Sequence, residues 1–171
     1  MDIHCGAEGF GKREFKEIQT TTTSKDIMKI CYIVAMEAEA QPFVERFGVE
    51  KKEGAFAPLP CLLYSKDLSG DSICVVVNGT LHGSSLIGCE AASITTLKAI
   101  ETLNPDIVIN SGTCGAFRKN GAEIGKVYIS DSVMFHDRRV MGDDEWSTQS
   151  FGNYPVYERC KEIADALQLP M

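Results

Sequence analysis

Residues 30–35, ICYIVA, form a short and nearly unbroken apolar run that stops directly in front of a helical pattern. The run is far too short to cross a bilayer as a helix. It also lacks the polar alternation of a strand with one wet face. Such a segment suits a strand buried on both faces, which calls for a parallel sheet covered by helices. Residues 106–110, DIVIN, read as another buried strand. It begins just after Asn104-Pro105, where the residue before proline disfavours the α region and ends the preceding helix.

The intervening pattern fits that frame. Residues 37–47 read as helix, with Pro42 early enough to be tolerated and Gly48 as its terminator. Residues 61–64 and 72–78 are strand candidates around a polar turn, 66–71, that contains Ser69-Gly70. Residues 79–88 form a loop with three glycines. Residues 89–103 are helical: Ala91, Ile94, Leu97, Ile100 and Leu103 recur every third position, and Ala92 and Ala99 widen the stripe. That drift predicts burial around much of the helix. Residues 111–116 are a small-residue loop, 126–135 a longer strand, and 142–154 irregular. Residues 155–169 read as an amphipathic helix, with Val156, Cys160, Ile163 and Leu167 on one side and Glu158, Arg159, Glu162 and Asp165 opposite. The order β–α–β–β–α–β–β–α predicts an α/β layered domain with a largely buried sheet.

Composition narrows the function classes. With 171 residues a single domain is expected. A net charge of −7 argues against nucleic acid or an anionic membrane as partner, since both need a basic face. The seven cysteines, at 5, 31, 61, 74, 89, 114 and 160, include no C-x-x-C pair, and most lie in apolar runs. They read as free thiols of a reducing compartment, taken to be the cytoplasm. Residues 1–26 are polar and read as a disordered arm or leader, which leaves 27–171 as the folded portion.

Three segments could carry chemistry. Glu39 stands in the first helical turn after residues 30–35, where the helix dipole favours the ionised form. There it could serve as a general base, or merely as an ordinary stabilising first-turn acid. The small residues after the 106–110 strand, Ser111-Gly112-Thr113-Cys114-Gly115-Ala116, let backbone N–H groups approach a ligand at a strand's carboxyl end. The plainer alternative is a strand-to-loop turn. His136-Asp137-Arg138-Arg139 suggests proton transfer or anion binding, but consecutive strand residues point to opposite faces, so locally paired charges are the simpler reading. His4 and His82 are isolated, and Trp146 lies in an acidic loop. No spacing suggests a zinc site, and no cofactor is expected.

Four segments taken in order, KICYIVAMEAEA, IGCEAASITTL, NPDIVINSGTCGAF and GKVYISDSVMFHDRR, resemble the 5′-methylthioadenosine/S-adenosylhomocysteine nucleosidases of the nucleoside phosphorylase superfamily. The FHDRR segment is most similar to the plant-type branch. The resemblance runs from Lys29 to Arg139 and continues more weakly beyond. It implies a three-layer α/β/α sandwich around a mixed central sheet, usually a homodimer, acting on a small nucleoside. Ala35-Met36-Glu37-Ala38-Glu39 matches the family's A-M-E-x-E segment, and Glu39 matches the carboxylate that deprotonates the attacking water. Ile87 and Gly88 match a pocket loop, as Ala35 and Met36 match the start of the site. Thr113 matches a hydroxyl residue near the sugar. Cys114 and Gly115 match small residues beside the base. Val140 opens a segment that resembles a loop reaching the 5′-substituent pocket of the neighbouring subunit.

There are departures. Cys114 and Ala116 stand where Ala and Gly are usual, and 141–154 is unlike the family loop. Family members continue past the last helix with an aromatic residue for the purine, a Glu-Met-Glu segment for ribose and an Asp that protonates the base. Without those the chain is expected to be a C-terminally truncated member. The implied reaction is hydrolysis of the N-glycosidic bond with release of adenine. The competing readings are a purine nucleoside phosphorylase, which Arg138 and Arg139 would favour, and a non-catalytic truncated or storage-type relative.

Overall fold

A six-residue strand, β1 (Lys29–Val34), opens the folded part and becomes the second strand from one edge of a mixed sheet. This computed structural model describes residues 27–137, 152 and 154–169, in two compact units divided after Thr113. Residues 1–26 and Val140 lie outside the described residues.

In the first unit β1 leads into α1 (Glu37–Phe47), which ends at Gly48 with φ 60°, the left-handed conformation that glycine adopts without strain. β2 (Glu50–Lys52), β3 (Leu62–Leu68) and β4 (Asp71–Val77) follow. A small hairpin, β5 (Thr80–Leu81) and β6 (Ser84–Ser85), precedes α2 (Cys89–Leu103) and β7 (Ile107–Asn110). The sheet order is β2-β3-β4-β1-β7. β4 and β7 flank β1 in parallel, with Val34 opposite Val77 and Ile33 opposite Asn110. β3 runs antiparallel to both β2 and β4.

Period-two alternation divides the core into two layers. Cys31, Ile33, Cys74 and Val76 face Phe56 and, on α2, Ala99 and Leu103. Tyr32, Val34, Val75 and Val77 face Ala40, Phe43, Val44 and Phe47 of α1. With a helix on each face the first unit has the expected three-layer α/β/α arrangement around a mixed sheet.

Several sequence expectations need correction. The polar turn at 66–71 shrinks to Ser69-Gly70, both with positive φ, because Lys66 and Asp67 pair with Ile73 and Ser72 in the ladder. β2 has no apolar signal at all; its Glu and Lys side chains suit an exposed sheet edge. The 79–88 loop holds the β5–β6 hairpin, with His82-Gly83 at its turn. α2 does not bury most of its surface: Thr95 and Ala99 are buried, whereas Ile94 is 54% and Leu97 59% exposed. β7 is not a buried strand either, because among the described residues it pairs only with β1 and its residues are exposed. Burial depends on how many neighbours a segment acquires, and an apolar composition cannot state that number.

The second unit is sparser. A 3-10 turn, Arg118–Asn120, is followed by β8 (Ser132–Val133), which pairs with β9 (Tyr154–Pro155), and then by α3 (Cys160–Leu167). The long strand expected at 126–135 is thus reduced to two residues, as no other described strand offers it ladder partners. The helix expected from residue 155 starts at Cys160, since Tyr154-Pro155 is taken up in the β-pair. Ala164 is the buried residue of α3, while Ile163 and Leu167 of the predicted stripe are exposed.

Candidate active site

The carboxyl ends of β4, β1 and β7 lie side by side, because the three strands are parallel and in register. In open α/β sheets that edge is where ligands bind. Each strand delivers a different segment to it. β1 delivers Ala35 and Met36, both half-buried, and then the first turn of α1. β7 delivers Ser111, Gly112 and Thr113. Ser111 stays attached to the sheet through its N–H, which donates 3.0 Å to the Ile33 carbonyl. β4 delivers Asn78 and, through the hairpin, Ile87 and Gly88.

Two of these segments meet at Glu39. The Thr113 N–H donates 2.8 Å to Glu39 Oε1, and the Thr113 hydroxyl donates 2.6 Å to the same oxygen. The Thr113 hydroxyl does most to hold the carboxyl below the usual carboxylate range, and the Thr113 amide adds to it. Partial burial pulls the other way, and the Met36 amide at the helix N-cap contributes a further downward pull. Glu39 is therefore a carboxylate at neutral pH. Its second oxygen, Oε2, is covered and accepts no hydrogen bond from the described residues. Oε1 is committed to Thr113, so the acceptor capacity left for a proton lies on Oε2. Thr113 Oγ1 has spent its hydrogen and keeps lone pairs that can accept from a sugar hydroxyl.

Gly112 makes this approach possible. A Cβ there would stand 3.3 Å from Glu39 Oε1 and 3.5 Å from Oε2, tight against the carboxylate. The sequence reading placed Gly112 in the loop without giving it this part. It also missed Asn78, 2% exposed at the end of a valine run. Its Nδ2 donates 2.9 Å to the Leu86 carbonyl, and its Oδ1 accepts nothing from the described residues. Leaving such an acceptor buried costs about 1–3 kcal/mol. The signal available was the Asn-Gly dipeptide, which in sequence reads simply as a turn.

Ile87 is exposed, and Gly88 is the N-cap of α2 with φ 102°. In the second unit Cys114 carries an exposed free thiol, and nothing lies within 4 Å of a Cβ built on Gly115. His136 is 95% exposed at its side chain and pairs with its neighbour, Nδ1 to Asp137 Oδ1 at 3.2 Å. That is the locally paired arrangement expected on the simpler reading. Arg138, Arg139, His4 and Trp146 lie outside the described residues. Among the described residues no group of three or more His, Cys, Asp or Glu is placed to hold a metal, and no helix is long and apolar enough to cross a membrane.

The chain that carries this carboxylate has relatives among known proteins. The sequence profile of the phosphorylase superfamily matches residues 29–169. The chain belongs to the phosphorylase superfamily. Within it the chain is 37% identical over 142 residues to a 5′-methylthioadenosine nucleosidase of Arabidopsis thaliana, covering 77% of this chain and 52% of the relative. It is 36% identical over 121 residues to a 5′-methylthioadenosine/S-adenosylhomocysteine nucleosidase of the same plant, covering 68% and 47%. The solved structure of an Arabidopsis thaliana 5′-methylthioadenosine nucleosidase in apo form superposes with a TM-score of 0.77 at 32% identity, over 85% of this chain and 61% of that one. The chain thus spans about half the length of the curated relatives it matches. The phosphorylase-superfamily fold and its nucleosidase relatives agree with the resemblance carried by the sequence motifs.

Proposed function

We propose that this member of the superfamily hydrolyses the N-glycosidic bond of 5′-methylthioadenosine, and of S-adenosylhomocysteine, releasing adenine. The observation that carries the reading is the Glu39–Thr113 contact. It leaves a carboxylate ionised at neutral pH at the carboxyl edge of the sheet, with one covered oxygen that accepts no hydrogen bond from the described residues. In this role Glu39 takes a proton from the attacking water. We assign Ala35, Met36, Ile87, Gly88 and Thr113, all of the first unit, to the nucleoside site. The relatives named for nucleosidase activity support the substrate class.

The same carboxylate argues for water over phosphate. Two unit charges of like sign about 4 Å apart repel by ~4 kcal/mol near a protein surface, and phosphate brings up to two. A base with a lowered pKa is a weaker base, but it stays available at more acidic pH. Assembly as a homodimer is part of the proposal. The exposed Ile94, Leu97 and Ile100 on the outer side of α2 support it. A cytoplasmic setting fits the free cysteines.

The test is product analysis on the purified protein that carries this sequence, incubated with 5′-methylthioadenosine. Adenine and free 5-methylthioribose should appear at a rate independent of added phosphate. Glu39→Gln should lower turnover by roughly a hundredfold or more. A dependence on phosphate, or undiminished turnover in E39Q, would remove the hydrolase assignment.

A further inference from the structure

Asn78 closes a valine run, yet it places a polar amide where the neighbouring positions are apolar and buried. Its backbone and side chain make two different ties. The Asn78 N–H donates 3.2 Å to the Val34 carbonyl, immediately ahead of Ala35-Met36. Its Nδ2 donates 2.9 Å to the Leu86 carbonyl, immediately ahead of Ile87-Gly88. The Leu86 N–H in turn donates 2.9 Å to the Gly79 carbonyl, which closes the hairpin at its base. The carbonyl partner sets which end of the amide is nitrogen, because an oxygen turned toward Leu86 would be repelled.

Stability of the strand is not what this residue serves best. Its Oδ1 is buried without a donor among the described residues, and a valine or leucine would avoid that cost. Departures of this kind concentrate where a site is being positioned. Gly79 adds a second constraint. With φ +86° and a would-be Cβ 1.9 Å from the Pro60 carbonyl oxygen, the chain has little freedom in how it leaves β4. Both constraints determine where Leu86 ends up, one residue before the segment that leads into α2.

We propose that Asn78 is a positioning residue. By holding the Leu86 carbonyl against the end of β4, it fixes Ile87 and Gly88 beside the Ala35-Met36 segment, where they receive the nucleoside. This rests on the nucleosidase reading above. It assigns Asn78 no contact with the water that Glu39 activates, so binding and chemistry should separate.

The experiment compares wild type with Asn78→Ala, and with Asn78→Thr should N78A not fold. Titration calorimetry with 5′-methylthioadenosine is run well below the melting temperature, alongside steady-state kinetics and amide exchange. One lost neutral hydrogen bond should weaken nucleoside binding and raise KM by about tenfold, with kcat nearly unchanged. Exchange at the Ile87 and Gly88 amides should quicken. Unchanged nucleoside affinity and KM in a folded variant with quickened exchange would overturn the proposal while leaving the nucleosidase reading intact. Failure of the wild type to bind any adenine nucleoside would remove that reading, and the proposal with it.

Discussion

Replacing Thr113 by Val tests the central contact with little change of shape. The substitution removes the hydroxyl that donates 2.6 Å to Glu39 Oε1 and keeps the backbone donor at 2.8 Å. Hydrogen bonds to charged groups contribute roughly 1.5–3 kcal/mol, but Thr113 is exposed and water competes, so about 1 kcal/mol is the better figure here. That corresponds to a Tm lowered by ~2–4 °C at neutral pH. The sign of the pH dependence follows from linkage. The folded-state pKa of Glu39 is depressed, so its stabilisation is present above the unfolded carboxylate pKa and is lost as pH falls through the folded value. The stability gap between wild type and T113V should therefore be full at neutral pH and close in acid. In kinetics, the acid limb of the rate profile should move to higher pH in T113V, because its carboxyl returns toward the ordinary range. Urea titrations at neutral and acid pH, with a pH–rate profile, check both. An equal gap at both pH values, or an acid limb that stays put, would refute the claim that the hydroxyl holds Glu39 ionised.

Gly112→Ala puts a methyl 3.3 Å from Glu39 Oε1; if Glu39 is the base proposed above, turnover should fall by about tenfold from its sub-ångström displacement, while circular dichroism melts barely change. Gly79→Ala cannot be accommodated beside the Pro60 backbone, and thermal melts should show a loss of at least ~2 kcal/mol. The Cys31 thiol is pushed up to about 12 by burial and by the adjacent Cys74, so maleimide labelling of the native protein should spare Cys31 and Cys74 and modify Cys89 and Cys114.

The two helices of the first unit were legible locally. The bounds of α1 follow from residues next to each other in the chain: a strand run ending at Val34, acids in the first turn, and Gly48 at the end. The same holds for α2, which starts after Gly88 and stops at Asn104, a left-handed cap before proline. In the sequence Glu39 was legible as a first-turn acid and candidate base, and the resemblance put Thr113 near a sugar; the hydrogen bonds that join the two were not foreseen.

The contact itself is a product of tertiary structure. Glu39 and Thr113 are 74 positions apart, and nothing in either segment specifies the other. They meet because β7 pairs in parallel beside β1, with Asn110 opposite Ile33, so that the chain leaves both strands at the same edge. One residue of slip would turn every β7 side chain to the other face and carry Thr113 away from the carboxylate. The half-exposed state of β7 and the bare outer side of α2 were settled the same way, by which neighbours each acquired. Periodicity along a chain records the preference of each segment; register and neighbours are collective properties of the folded sheet, and the Glu39–Thr113 contact exists only at that level.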